Sequence, residues 1–324
     1  MAIRRSARRI VVSPLEGANV KIGIGLPVAI PGRDAREVTR WAKDSERLGF
    51  HSLGSIDRLI YDILDPLVSL GVAAAVTEHV QLFTSILNVG WRNNSILLAK
   101  QLATVDLISE GRLTAGLGIG GWPDDFAASG APTKGHGKLF DDTLTELRRV
   151  WDGEVTSGSG PTPLPGAGRP RLLIGGLIQP GYARAARFGH GWVAPMLSRE
   201  FLADGVEGVT KEWVKAGRPG KPQILTGRYF CCGPDAQTLT SEYVAHYYGS
   251  ESPFYGPVRA DCLDSDERLR EELIALSAAG VDDLVLYPSS SRIDQVHLLA
   301  EALERVGARR DPTFKFTAGQ ARAA

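Results

Sequence analysis

The chain is short of the residues that build disulfide and metal chemistry. Its 324 residues hold three cysteines, Cys231, Cys232 and Cys262, and six histidines. The cysteines make neither a CxxC pair nor an even-numbered framework, so a disulfide scaffold is excluded and a reducing cytoplasm is the expected setting. The histidines fall in no HxH or HExxH pattern, and no metal site is expected. There is no excess charge of either sign, because 37 Lys and Arg balance 37 Asp and Glu. Neither a nucleic acid nor a membrane surface finds an electrostatic footprint in such a balance. No apolar run approaches the roughly 20 residues of a membrane-spanning helix. The basic segment 1–18 has an apolar stretch, Ile10 to Val12, too short for a signal-peptide core, and is expected to be a loosely docked leader. Residues 311–324 are expected to be a tail, leaving 19–310 as one domain.

What the chain does have is a repeating unit, a short apolar run followed by an amphipathic helix. "KIGIGLP" (21–27) predicts strand one. Asp34, with Glu37 three residues on, predicts a capping box at the start of helix one. Strand two is expected at 50–57, strand three at 80–87 and helix three at about 94–109. "RLTAGLGI" from Arg112 predicts strand four, and a helix is expected at about 139–151. "PRLLIGG" predicts strand five, followed by a helix through "GYARAARFG". "GWVAP", "PQILTGRYFCC" and "DDLVLYP" complete eight units, with an insertion at 249–263. Eight ordered strand–helix units predict an α/β fold, a single (β/α)8 TIM barrel with a late insertion and extra helices. A doubly wound sheet is the alternative. "GLGIGG" (116–121) matches GxGxxG, but it leads into "WPDDFAASGAP", which is expected to be a loop rather than the helix a dinucleotide fingerprint opens.

In a barrel, chemistry sits at the carboxyl ends of the strands. Those ends hold glycines, apolar groups and few titratable ones, which disfavours metal hydrolysis and paired-carboxylate glycosidase chemistry. A glycine-lined apolar mouth suits a flat aromatic cofactor. Gly175-Gly176, ahead of Pro180, is an anion-site candidate, since such a loop presents N–H groups at a helix N-terminus. Arg184 and Arg187 are one turn apart and are candidates to add charge there.

"RNNSILLAKQLATVDLISEGRLTAGLGIGGW" and "PRLLIGG…RAARFGHGW" resemble the bacterial luciferase-like flavin monooxygenase superfamily, and the similarity runs from "KIGIGLP" to "DDLVLYP". The resemblance implies a TIM barrel that takes reduced FMN from a separate NAD(P)H:flavin reductase and uses molecular oxygen on a small organic substrate. It implies a bulge at Ser85-Ile86, often with a non-proline cis peptide, against which the flavin ring rests. It also implies a phosphate site at Gly175, Gly176 and Leu177, close ring approach at Gly118 and Gly120, and a possible homodimer. Asp57 matches an acidic position of the family, while Arg58 stands where many relatives carry a histidine. Gly121 stands near a glutamate of the glucose-6-phosphate dehydrogenases that use the deazaflavin coenzyme F-420 (F420). An F-420-dependent hydride transferase and a non-catalytic flavin-binding homologue are the alternatives. Asp57, Arg58, Arg92 and Arg228 are the catalytic candidates. Trp122, Tyr247, Tyr248, Phe254 and Tyr255 are the substrate-wall candidates, and His136 is a further polar candidate.

Overall fold

The computed structural model describes residues 20–132, 134–157, 160–161 and 169–308. The leader and the tail expected from the sequence lie outside the described residues. Eight strands form the barrel: β1 (Lys21–Gly25), β2 (Ser52–Ser55), β3 (Gln81–Asn88), β4 (Leu113–Gly118), β5 (Arg171–Gly175), β6 (Gly191–Val193), β7 (Gln223–Phe230) and β8 (Asp283–Pro288). They close in the order β1-β8-β7-β6-β5-β4-β3-β2, with every neighbouring pair parallel. A small antiparallel pair, Thr156–Ser157 with Gly160–Pro161, stands apart from the barrel. The helices are α1 (Glu37–Arg47), α2 (Pro66–Val76), α3 (Ser95–Ile108), α4 (Pro123–Ser129), α5 (His136–Trp151), α6 (Gln179–Phe188), α7 (Arg199–Lys215), α8 (Ala236–Tyr248), α9 (Tyr255–Ala260), α10 (Asp266–Ala278) and α11 (Asp294–Arg305).

Local chemistry explains where several helices start. Asp65 accepts from the N–H groups of Leu67 and Val68, both at 2.9 Å, with Pro66 in the first turn of α2; an aspartate cap followed by proline is a strong helix start. Asn94 caps α3 in the same way through Leu97 N–H at 2.9 Å. Helix α1 departs from the expected capping box. Asp34 takes the N–H and the guanidinium of Arg36 instead, and the helix begins at Glu37 behind an Arg36 N-cap that has no side-chain bond. The segment "WPDDFAASGAP" corrects the expected loop, because Pro123–Ser129 is helix α4. Tyr255–Ala260, inside the expected insertion, is helix α9.

The floor of the barrel is tied by buried polar groups. The Arg112 guanidinium donates to Ser109 O at 2.8 Å, Val80 O at 2.9 Å, Ala74 O at 3.0 Å, and Thr77 Oγ1 and O at 3.0 and 2.9 Å. One guanidinium therefore joins the ends of α2 and α3 to the entry of β3. Glu46 accepts from three successive N–H groups, those of Glu78, His79 and Val80, at 2.7–3.1 Å.

Candidate active site

The carboxyl ends of the strands surround one mouth. At the end of β3 the pairing with β4 slips between Thr84 and Leu87, and the Ser85–Ile86 peptide is cis, as the resemblance implied. Ile86 turns toward β4 and β5. A Cβ built on Gly118 would stand 2.1 Å from Ile86 Cδ1, and one on Gly175 would stand 3.4 Å from the same atom. Gly118 therefore makes room for the Ile86 side chain, a closer role than approach to a ring edge. Gly120 adopts φ 95° beside Asn88, a backbone shape that glycine reaches without steric cost.

Tyr287 fills the barrel interior on the side of β8. It is 2% exposed, and its ring extends from β8 over positions left bare by glycine on three strands. A Cβ at Gly25 would come within 2.2 Å of its Cδ1, one at Gly54 within 2.7 Å of its hydroxyl, and one at Gly227 within 3.0 Å of its Cε2.

After β5, Gly176 and Gly181 pack backbone to backbone, and Trp192 Nε1–H donates to Gly176 O at 2.9 Å. The N–H groups of Gly176, Leu177, Ile178 and Gln179 find no acceptor among the described residues, and Leu177 and Ile178 are 53% and 67% exposed. Four open donors at the start of α6 suit an anion. The two arginines do not join them. Arg184 donates to Asp141 at 2.7 Å on α5, and Arg187 is exposed, its guanidinium 4.6 Å from the Phe188 ring.

Asp57 is 4% exposed beyond β2. Its Oδ2 accepts from Asn88 N–H at 2.8 Å and from Arg92 at 3.1 Å, and its carbonyl accepts from Asn88 Nδ2 at 2.8 Å. Its Oδ1 is buried without a partner. Burial pushes the carboxyl up to about 6, against the opposing pull of Arg92 and the Asn88 N–H. Arg92 lies 4.3 Å from the Trp91 ring.

Arg58 is committed to Asp125 on α4, with Nε–Oδ2 at 2.8 Å, and Asp125 also accepts from Ile60 N–H at 3.1 Å. The guanidinium lies 3.9 Å from the Trp122 ring centre. Tyr61, Tyr247 and Tyr248 join Trp122 in one aromatic wall, with ring centres 4.8–5.8 Å apart. Tyr229 meets Tyr248 through their hydroxyls at 3.2 Å. Burial raises all of these phenols, Tyr61 and Tyr248 to about 12, so they stay protonated. His136 stacks on Phe126 at 4.4 Å and bonds Pro132 O, which ties α4 to the start of α5.

Arg228 does not face the mouth. Arg228 alternates with inward-facing Gly227 and Tyr229 and so points behind the sheet, where it bonds Glu272 on α10 at 2.9 Å. Phe254 is 52% exposed, and neither it nor half-buried Tyr255 makes a ring contact among the described residues. Conversely, Asp125 was not singled out from the sequence. The three thiols are raised by burial to between about 11 and about 12, which leaves them neutral and poor nucleophiles. Among the described residues no group of three His, Cys, Asp or Glu is placed to hold a metal ion. No helix there is long and apolar enough to cross a membrane.

A profile of the luciferase-like monooxygenase family matches residues 20–310. The chain belongs to that family. An uncharacterized protein of Mycobacterium tuberculosis is 31% identical over 173 residues, which cover 50% of this chain and 60% of that protein. The match thus spans less than two thirds of that relative. Among solved structures, the monooxygenase RslO1 from Streptomyces bottropensis superposes with a TM-score of 0.70 at 22% identity, covering 88% of this chain and 99% of its own. An F420-dependent secondary alcohol dehydrogenase, solved with an F420–acetone adduct, gives 0.71 at 18% identity, covering 89% and 99%. The oxygenating constituent of 3,6-diketocamphane monooxygenase from Pseudomonas putida, solved with FMN, gives 0.68 at 16% identity, covering 90% and 98%. These likenesses show a shared barrel fold.

Proposed function

We propose that this protein is a flavin-dependent monooxygenase that uses reduced FMN and molecular oxygen on a small organic substrate. The observation that carries the reading is the Ser85–Ile86 bulge at the carboxyl end of β3, the same end of the barrel at which the open N–H groups follow β5. A planar ring with a phosphate tail fits both features at once. Ser85 and Ile86 would support the ring, and the amides of residues 176–179 would hold the phosphate. When bound, reduced FMN supplies the electrons that activate oxygen. The chain's own part is to orient the substrate and exclude water, a role we assign to Trp122, Tyr247 and Tyr248. Asp57, with its unpartnered Oδ1 and raised carboxyl, is placed to hold or pass a proton near pH 6. The reduced flavin would come from a separate NAD(P)H:flavin reductase, and a cytoplasmic setting agrees with the three unpaired thiols.

Hydride transfer with F-420 is the second reading, favoured by the likeness to the F420-dependent alcohol dehydrogenase. Arg58 and Gly121, at positions where the sugar-phosphate enzymes of that type carry histidine and glutamate, argue against their activity.

Titration with oxidised FMN, reduced FMN and F-420, followed by oxygen uptake, decides between the readings. Micromolar FMN binding with substrate-dependent oxygen uptake is the expected result. F-420 binding without oxygen uptake selects the second reading, and binding of neither refutes both. We further read the exposed apolar side chains of α2 and α3, among them Val68, Val72, Leu97 and Ile108, as the contact face of a homodimer. A monomeric mass in sedimentation would reject that.

A further inference from the structure

Arg58 is a buried arginine with part of its guanidinium left unused. It follows β2, and its side chain is 5% exposed. Asp125 takes one edge of the fork, with Nε donating to Oδ2 at 2.8 Å and Nη2 to Oδ1 at 3.4 Å. Among the described residues no atom accepts from Nη1, and Nη1 is not sealed from solvent. The end of the fork at Nη1 is therefore open. Arg112, buried to a similar degree, bonds chain oxygens through all three of its nitrogens. The surroundings of Arg58 are aromatic. Its central guanidinium carbon lies 3.9 Å from the ring centre of Trp122, 5.7 Å from Tyr61 and 5.9 Å from Tyr247. Those rings stand at the carboxyl end of the barrel, on the segments after β2 and β4 and at the end of α8. Asp125 is itself 1% exposed and accepts from Ile60 N–H at 3.1 Å, so the fork is fixed before a ligand arrives. A donor held among rings meets little water and gains most from an acceptor that a ligand brings in.

We propose that the open end of Arg58 selects the substrate by binding an anionic oxygen, so that the substrate is an organic acid whose flat apolar body lies against Trp122, Tyr61 and Tyr247. Aromatic faces suit a flat body, and a guanidinium fork suits a carboxylate. Asp125 and the substrate oxygen would occupy different edges of one guanidinium. The chain already uses one charged group twice in this way, since Glu272 holds Arg228 on Oε1 and Arg199 on Oε2. Asp125 balances the Arg58 charge, so the gain comes from charge-assisted N–H···O bonds rather than from net charge. The preference for an acid over its neutral amide is therefore expected to be about tenfold, not thousands. No covalent step is involved. The inference deepens the function proposed above and rests on it, because it takes the mouth as the place where the substrate meets the flavin.

The test titrates the FMN-loaded protein with benzoate and with benzamide in a calorimeter. The two probes share size and shape and differ in charge. Wild type is compared with Arg58→Lys and with the double variant Arg58→Gln, Asp125→Asn. The double variant removes both charges together, so no lone buried charge is left to unfold the chain, and melting is checked by circular dichroism. Wild type is expected to bind benzoate about tenfold more tightly than benzamide. Arg58→Lys keeps a charge without the fork, and it is expected to lose most of that preference, because an ammonium that reaches Asp125 has no second edge to offer. With the charge-assisted bond gone, the double variant is expected to bind the two probes within about twofold of each other. The ratio of the two affinities is the deciding readout, since a structural loss weakens both probes alike. If wild type binds FMN but does not favour benzoate, whether it binds both probes or neither, this inference is overturned and the function stands. A preference that survives in the double variant overturns it too. If wild type binds no FMN, the proposed function falls and the inference with it.

Discussion

Two buried ionic groups, Arg112 at the bottom of the barrel and Asp57 at the top, are held in opposite ways. Arg112 spends its guanidinium on five bonds to carbonyl and hydroxyl oxygens. Asp57 has one oxygen doubly bonded to Asn88 and Arg92, and the other is buried with nothing to bind. A folded chain rarely leaves a buried charge half satisfied without a reason, because each missing partner costs free energy. Arg112 serves cohesion, joining two helix ends to the entry of a strand. Asp57 sits at the end of the barrel where such folds bind ligands, and its open oxygen is in keeping with that division of labour.

The sharpest break in that comparison is to cut Arg112. Arg112→Met leaves several buried acceptors without a donor, at roughly 1–3 kcal/mol each before relaxation. A loss of roughly 3–5 kcal/mol and a fall in Tm of roughly 10 °C are expected. Ring affinity of the folded fraction is expected to be unchanged. A large loss of affinity with little loss of stability would erase the distinction between the two ends.

Asp57→Asn probes the other end and reverses the sign. The folded chain raises this carboxyl from 3.8 to about 6, so the native state binds the proton more tightly than the unfolded chain. The contribution of Asp57 is therefore greatest below pH 4, falls as pH rises, and levels off above pH 6. About two pKa units correspond to roughly 3 kcal/mol. Asparagine cannot ionise, so relative to wild type the variant is expected to gain stability by about that amount between pH 4 and pH 7. Urea melts at the two pH values measure this difference. Turnover is expected to fall while stability at pH 7 does not. A difference that stays constant with pH would mean that Asp57 stays ionised throughout this range.

Gly118→Ala tests whether the Ser85–Ile86 bulge is separable from the framework. The new methyl would meet the tip of the Ile86 side chain, which can swing away. A cost of about 1 kcal/mol in stability is expected, with about tenfold weaker ring binding as Ile86 tilts within the bulge. Equal ring affinity in the variant would show that the ring does not rest on Ile86.

The barrel itself was legible in the sequence because each unit carries its own period. Short apolar runs, buried as barrel strands, alternate with helices, and that alternation repeats eight times. The cis peptide at Ser85 came from the family resemblance, since nothing in "TSILN" alone requires it. Helix α4 was missed because seven residues beginning Pro-Asp-Asp in a glycine-rich neighbourhood carry no helical period. Arg228 was misplaced for a reason specific to barrels. When both faces of a strand are buried, alternation does not say which parity faces the mouth. The partnership of Arg58 with Asp125 spans 67 residues and leaves no local signal. The path of Tyr287 was hidden in the same way, because it depends on glycines in three different strands that only the closed barrel brings together.

The smallest expected effect concerns the rim after β5, where two sources of positive charge compete in principle. Four open amides face outward at the start of α6, while the arginines of that helix are turned away. Arg184 is held by Asp141, and Arg187 is exposed beside the Phe188 ring. If backbone amides hold the phosphate, Arg187→Ala is expected to change FMN affinity by less than about twofold, and the remaining salt dependence is expected to be shallow, because fixed dipoles contribute without a mobile charge. Riboflavin, which lacks the phosphate, is expected to bind wild type and variant equally weakly. A drop of about tenfold for FMN with no change for riboflavin would assign the anion to Arg187. The top of the barrel would then hold its ligand by side-chain charge, and only Asp57 would remain to set it apart from the bottom.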